Sequence, residues 1–308
     1  MQNGLQMNKH RLSEISSRLL GFAFGMFRIA YLPFTGDYIG LGNRVKALCN
    51  FYVIGYRRFV MFWNTDGWVT DLWRNLFDLE GCHILEINNS NGGGGLIKWC
   101  FRRFVPDGVV DKLHPFWSFR LPKKLCRKRY KKEWSFAKGY PIYSIDCRFN
   151  DIDESCKRYY MPFFESLKPS RKVYERIREF GEGIEQLVGV QVRNTNLPTD
   201  QKDVSSIETI MAVMNEFDAS TEFFVSAMNS EIQDLFSKRY GSRVRFLPHK
   251  DCSSMMDAVA DMWLLGHCRE MIASPGSTFS EVAWWWGGAE IHVRQLKAEY
   301  NQKDGQGI

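Results

Sequence analysis

The chain has 308 residues, of which 44% are hydrophobic and 25% are charged, and its formal net charge is +6. This composition excludes an intrinsically disordered chain, and the length suits two domains of about 150 residues each. The modest positive charge is compatible with nucleotide diphosphates, anionic lipid or nucleic acid and selects none of them. The eight cysteines form no C-x-x-C pair, which argues against a zinc site, and we expect reduced thiols in a cytoplasmic protein.

An apolar stretch runs from Leu19 to Phe34 near the N-terminus. Arg28 interrupts it, and it is shorter than the ~20 residues that a membrane-spanning helix needs. It also lacks the small-residue cleavage region that follows the apolar part of a signal peptide. We therefore expect a buried strand and helix here, and no transmembrane anchor.

The rest of the first half carries three local patterns. The segment 36–64 predicts a glycine turn, a helix from about Asn43 and a strand that ends near Trp63. The segment 88–95 (NNSNGGGG) predicts a mobile loop or a lid, and a Walker motif is excluded because no Lys-Ser or Lys-Thr follows the glycines. The basic stretch from Arg120 to Lys132 is either a solvated surface segment or a docking site for anionic lipid or a polyanionic acceptor.

The second half alternates between apolar β-rich runs and helical patterns. Strands are predicted at 187–193, 222–227, 243–247, 270–273 and 290–294, and helices at 205–217, 229–240, 254–268 and 278–286. A further helix is predicted to start at Pro169 and Ser170. Such alternation is typical of βαβ units, so we predict a parallel, doubly wound sheet, which binds ligands beyond the carboxyl ends of its strands.

Arg193 would stand at the carboxyl end of the first of these strands. Its planar guanidinium can hold a diphosphate, with about 1.5–3 kcal/mol for each charge-assisted hydrogen bond. A surface arginine without a ligand would give the same pattern, so the position alone leaves both interpretations open.

The segment 274–280 (SPGSTFS) predicts a strand end followed by a helix that opens at Ser277 or Thr278. Hydroxyl groups and backbone N–H groups at a helix N-terminus form an anion-binding site. An ordinary capping box of Thr278 with Glu281 is the structural alternative.

The helix predicted at 254–268 carries two aspartates four residues apart. Asp257 is explained by a capping box with Ser254. Asp261 lies in the middle of the helix among apolar residues, where a carboxylate is costly unless it has a partner. We therefore predict that Asp261 accepts the two N–H donors on the Watson–Crick edge of guanine.

Three blocks resemble, in order and spacing, the fucosyltransferase superfamily that includes the α1,6-fucosyltransferases and the rhizobial nodulation fucosyltransferase. Residues 40–44 (GLGNR) are similar to its G-x-G-N-R turn, and residues 191–196 (QVRNTN) resemble its H-x-R-R-x-D strand end. Asp261 with Met262, followed by residues 277–280 (STFS), resembles its D-[IM] helix and T-F-S turn.

The resemblance implies an α/β fold of the GT-B type, with two Rossmann-like domains facing a cleft. Residues 1–169 would form the acceptor-side domain, and residues 170–308 the domain that binds the nucleotide sugar. The implied activity is an inverting, metal-independent transfer of fucose or a similar sugar from a GDP-sugar to a glycan acceptor, with no cofactor and no nucleic-acid partner.

The resemblance also implies site residues. Arg193 would hold the β-phosphate, Asp261 would recognise guanine, and the hydroxyl groups of Ser277 and Thr278 would contact phosphate. The other implied substrate-binding residues are Gly40, Gly42, Asn43, Arg44, Gln191, Phe279 and Ser280.

The chain departs from the family pattern at three positions of the strand-end block, and residues 227–229 (AMN) stand where the family has TDD. Gln191, Asn194 and Asn196 stand where the family has His, Arg and Asp. A pseudoenzyme that binds a nucleotide sugar or a glycan is therefore the alternative to a transferase. Asp200 and Asp203 are the carboxylates in the loop after Arg193, and either could be the catalytic base that takes the acceptor proton or a solvated loop charge.

Overall fold

The structure, a computed structural model, describes residues 29–34, 40–65, 69–88, 132–134, 141–143, 147–193 and 205–297. Two compact units make up the chain, one of Met1–Arg74 and Leu79–Ile145, the other of Asn75–Asp78 and Asp146–Ile308. The domain boundary at residue 170 stays a prediction. The glycine-rich loop and most of the basic stretch lie outside the described residues, within which no helix is long and apolar enough to cross a membrane.

The first unit contains a parallel sheet with strand order β1-β2-β4. Its elements are β1 (Ile29–Phe34), α1 (Leu41–Val53), β2 (Arg58–Trp63), β4 (His83–Asn88), β5 (Lys132–Trp134) and β6 (Pro141–Tyr143). The short helix α2 (Trp73–Leu76) spans the boundary between the units, and β3 (Phe77–Leu79) belongs mostly to the second unit. The predicted strand end at Trp63 is confirmed. The helix starts two residues earlier than Asn43, because Gly40 already has the extended backbone of an N-cap.

The second unit contains the predicted doubly wound sheet. Its elements are α3 (Glu154–Ser166), β7 (Leu167–Pro169), α4 (Arg171–Phe180), β8 (Val188–Val192), α5 (Ile207–Met214), β9 (Phe223–Ala227), α6 (Ser230–Tyr240), β10 (Val244–Arg245), α7 (Met255–Gly266), β11 (Glu270–Ala273), α8 (Thr278–Trp286) and β12 (His292–Gln295). Five strands run parallel in the order β10-β9-β8-β11-β12. Every residue of β8 and β9 is buried, which explains why both read as continuous apolar runs.

Polar caps fix where the helices of this unit begin. At the start of α4 to α8, the side chain of the N-cap residue accepts a hydrogen bond from the backbone N–H three residues later. The capping residues are Ser170, Ser206, Asn229, Ser254 and Ser277. The predicted helix start at Ser170 is thus confirmed. Each cap satisfies a donor that the helix itself leaves unpaired.

The tryptophan run of α8 belongs to the core. Trp285 stacks on Phe164 of α3 with ring centroids 5.7 Å apart and meets Tyr160 edge to face. The indole N–H of Trp286 donates to the carbonyl oxygen of Leu167 at 2.7 Å. These indoles therefore hold α8 against α3 and β7.

Helices α7 and α8 touch through their backbones at two glycines. A Cβ atom added to Gly266 would lie 2.1 Å from the carbonyl oxygen of Ala283, and one added to Gly287 would lie 1.8 Å from the carbonyl oxygen of Gly266. Both distances are far below van der Waals contact, and the atoms met are backbone atoms that cannot rotate away. Only glycine therefore permits this approach.

We expect Gly266→Ala to lower the free energy of unfolding by about 2 kcal/mol or more, because α7 and α8 must separate to admit the methyl group. Thermal or urea unfolding measures the change. Ser237→Ala, on an exposed position of α6, is the matched control and should change stability by less than about 0.5 kcal/mol. Equal stability of the Gly266 variant and wild type would contradict the close packing.

Candidate functional site

The candidate site lies at the carboxyl edge of the five-stranded sheet, where the strand order reverses. From β8 the chain proceeds to β9 on one side, whereas β11 pairs with β8 on the other side. In open α/β sheets such a switch point is where ligands bind. Arg193 follows β8 directly and Ser274 follows β11, so the two predicted strand ends are neighbours.

A hydrogen-bond network joins these two strand ends. Ser274 Oγ donates to the carbonyl oxygen of Gln191 at 2.9 Å and accepts from the backbone N–H of Arg193 at 3.1 Å. The side-chain oxygen of Gln191 accepts from Ser280 Oγ at 3.1 Å and from the backbone N–H of Ser274 at 3.4 Å. Gln191, which is buried, therefore fixes the serine-rich turn next to Arg193, and its contact with substrate stays a prediction.

The N-terminus of α8 is built by Ser277. Its Oγ accepts from the backbone N–H of Ser280, while Thr278 and Phe279 occupy the first turn and are half-buried. The alternative of a capping box between Thr278 and Glu281 is wrong, since the cap lies one residue earlier, at Ser277. Glu281 is instead buried and accepts the backbone N–H of Cys147 at 3.1 Å. Helix geometry leaves the first backbone N–H groups of α8 without partners inside the helix, as an anion site requires.

Arg193 is half-buried at the end of β8, as predicted. Four further residues from the sequence analysis lie outside the described residues: Asn194, Asn196, Asp200 and Asp203. Their roles therefore stay predictions.

Asp261 is buried in α7, with 1% of its surface exposed, and it belongs to an ion pair that the sequence analysis missed. Its Oδ2 atom accepts from Lys250 Nζ at 2.5 Å and from Ser226 Oγ at 2.7 Å. Its Oδ1 atom is buried and has no hydrogen-bond partner among the described residues. Burial raises the pKa of Asp261 above its ordinary value, and the opposing effects of Lys250 and Ser226 only partly offset this.

Asp257 fixes the loop that carries Lys250. Its backbone N–H donates to Ser254 Oγ, so Ser254 caps α7 as predicted, but the Asp257 carboxylate does not complete a capping box. It accepts instead from the guanidinium of Arg176 at 2.7 and 3.1 Å and from the backbone N–H of Asp251 at 2.8 Å. Arg176 also donates to the carbonyl oxygen of Pro248 at 2.8 Å, so both sides of Lys250 are held.

The predicted site residues of the first unit lie in the first turn of α1. Gly40 is the N-cap, Gly42 is buried and Asn43 is half-buried. Arg44 is fully buried, donates to the carbonyl oxygen of Asn64 at 2.8 Å and lies over the Trp63 ring at 4.5 Å from its centroid.

Burial also lowers the pKa of Arg44 to about 10, so the guanidinium is still charged at neutral pH. Its contacts join α1 to the end of β2. Binding of substrate by residues 40–44 stays a prediction.

The sequence matches no protein-family model and no curated protein. Among solved structures, a variant of Arabidopsis thaliana FUT1 in complex with GDP resembles this chain with a TM-score of 0.51 and 14% sequence identity, over 89% of this chain and 71% of that one. The fucosyltransferase NodZ from Bradyrhizobium matches with a TM-score of 0.47 and 15% identity, over 83% of this chain and 91% of that one. The likeness to FUT1 confirms the fold class, a mixed α/β fold of the GT-B type.

We expect Lys250→Met to lower the melting temperature by roughly 10 °C at neutral pH, because it leaves the Asp261 carboxylate buried without a counter-charge. The difference in melting temperature between Lys250→Met and wild type should become smaller as the pH falls. A carboxyl whose pKa is raised in the folded state favours folding when protonated, and removal of Lys250 raises that pKa further.

Thermal unfolding at about pH 5 and about pH 8 tests this expectation. Asp257 and Arg176 are further charged groups near Asp261, and both stay in place. The control is the double variant Lys250→Met with Asp261→Asn. Its melting temperature should differ from that of wild type by an amount that depends much less on pH. An equal loss of melting temperature at both pH values in the single variant would contradict our assignment of that loss to the buried Asp261 side chain.

Proposed function

We propose that this protein is a glycosyltransferase that transfers fucose or a similar sugar from a GDP-sugar to a glycan acceptor. The observation that carries the proposal is the strand-end junction at the switch point of the sheet, where the Arg193 backbone N–H donates to Ser274 Oγ shortly before the serine-capped N-terminus of α8. It combines a guanidinium with helix-end N–H and hydroxyl groups, which is the chemistry that holds a diphosphate. The FUT1 structure of the same fold was determined with GDP, which supports this choice of ligand.

The proposed reaction is an inverting displacement without a metal ion. The oxygen of an acceptor hydroxyl forms a bond to the anomeric carbon while the bond from that carbon to the β-phosphate oxygen breaks, and the electron pair leaves with GDP. The hydroxyl proton passes to a carboxylate, for which we propose Asp200 or Asp203. Arg193 and the helix N-terminus balance the charge that develops on the leaving diphosphate.

A binding protein without transferase activity is the second candidate. It is favoured by Asn194 and Asn196, which replace an arginine and an aspartate of the family pattern. Loss of a positive charge beside the phosphates would weaken leaving-group stabilisation while donor binding persisted. Release of GDP and free sugar from GDP-fucose by the purified protein separates the candidates, since a binding protein leaves the donor intact.

We expect GDP to raise the melting temperature more than UDP, ADP or CDP, because the base is recognised at Asp261. Thermal shift with each nucleotide measures this preference. Asp261→Asn should weaken GDP binding and leave binding of pyrophosphate nearly unchanged, since we propose that the phosphates bind next to Arg193, at the end of β8. A preference for UDP would rule out the guanine assignment.

We expect Arg193→Lys to reduce kcat/KM for GDP-fucose hydrolysis at least about 100-fold, on the order of 3 kcal/mol of transition-state stabilisation. A lysine keeps the charge but cannot span two phosphate oxygens as the planar guanidinium does. Arg178→Lys, at an exposed position of α4, is the matched control and should retain full activity.

The same assay in EDTA tests the proposed independence from metal ions, and wild-type activity should persist. If EDTA abolishes hydrolysis and Mg²⁺ or Mn²⁺ restores it, a metal ion shares the role assigned to Arg193.

A further inference from the structure

We infer that Lys250 and Asp261 together recognise the lactam edge of the base, an N–H beside a carbonyl oxygen, and that the 2-amino group of guanine is not required. This inference rests on the proposed function. It assigns to Lys250 a role in base specificity and replaces the expected contact of guanine with both oxygens of Asp261.

The two oxygens of Asp261 are not equivalent. Oδ2 already accepts two donors, Lys250 Nζ at 2.5 Å and Ser226 Oγ at 2.7 Å. Oδ1 is buried without a partner in the part of the chain that the structure describes. A clasp of the guanine N1–H and 2-amino groups would need both oxygens, whereas one further donor can be accepted at Oδ1 without breaking an existing bond.

Lys250 supplies the complementary donor. An ammonium group has three N–H donors, and those of Lys250 contact the carbonyl oxygen of Ala227 at 2.5 Å and Asp261 Oδ2 at 2.5 Å. The contacts found in the described residues thus use two donors and leave one for a ligand. Lys250 and Asp261 would thus offer a base one donor and one acceptor, which matches O6 and N1–H of guanine, and lysine is a common donor to guanine O6.

Adenine presents the opposite arrangement on this edge, an amino donor beside a ring-nitrogen acceptor. Its amino group would meet the ammonium, and its ring nitrogen would meet the carboxylate. Both contacts are repulsive, so the pair rejects adenine while tolerating any purine that carries the lactam.

The position of the pair agrees with a role in binding. Ser226 and Ala227 end β9, which pairs directly with β8, so the pair lies at the same carboxyl edge of the sheet as Arg193. Met228, the next residue, has 55% of its surface exposed. It offers a polarisable apolar surface to a base at this strand end.

The backbone on both sides of Lys250 is already fixed before any ligand binds. The bonds from Asp257 to the Asp251 backbone and from Arg176 to the Pro248 backbone fix the chain on both sides of it. A lysine that merely neutralised Asp261 would not need its backbone fixed on both sides, whereas a donor that must meet a base does.

The first experiment compares GDP, IDP and ADP on the wild-type protein by titration calorimetry. IDP lacks only the 2-amino group. We expect its Kd within about threefold of that of GDP, and a Kd for ADP at least tenfold weaker. An IDP affinity tenfold or more below that of GDP would overturn the inference and leave guanine binding intact. If no nucleotide binds better than pyrophosphate, the base site proposed above fails as well.

The second experiment uses Lys250→Met, with Lys238→Met on an exposed position of α6 as the matched control. We expect Lys250→Met to weaken GDP and IDP at least tenfold and to change ADP and pyrophosphate less than threefold, so that the base preference disappears. The control should bind all four ligands like wild type. Tighter GDP binding by Lys250→Met would show that Lys250 competes with the base, and an unchanged preference would show that it only balances charge; either result overturns the inference.

Discussion

The backbone contact between α7 and α8 is the constraint on which the candidate site depends. Gly266 and Gly287 allow the two helices to approach until backbone atoms touch. One helix carries Asp261 and the other begins with the Ser277 turn. Because side chains at the contact would force the helices apart, these two glycines permit close packing between the helix that carries Asp261 and the helix that Ser277 caps.

Buried charge imposes the second constraint. Asp257, Asp261 and Glu281 are all nearly inaccessible to solvent, and each would be costly without partners. Several of their partners lie in loops, since the carboxylates hold the chain around Lys250 and the segment at Cys147. Groups that cost stability when unpaired thus fix those irregular segments, which apolar packing alone would leave free to move.

Local patterns were sufficient to predict most of the second unit. Strands β8 and β9 are buried throughout and helices α4 to α8 start at serine or asparagine caps, so periodicity and cap chemistry agree on nearly the same boundaries. The capping box at α8 failed because Ser277 and Thr278 are equally good caps in sequence. The choice depends on the backbone, and Ser277 takes the extended conformation (φ −80°, ψ 107°) that a cap needs. The order of the strands, and with it the switch point, became visible only in the fold.

Asp261 shows why the site was only half predictable. The sequence indicates that a carboxylate in an apolar helix needs a partner, but it does not say whether that partner is a ligand or the protein itself. Lys250 is 11 residues away and Ser226 is 35 residues away, in a loop and a strand whose positions depend on the whole sheet. The structure contains a partner for one oxygen and none, among the described residues, for the other. Burial raises the pKa of Asp261 and the ion pair with Lys250 partly offsets this effect, and a carboxylate oxygen without a donor is the feature that an N–H of a neutral base can complete.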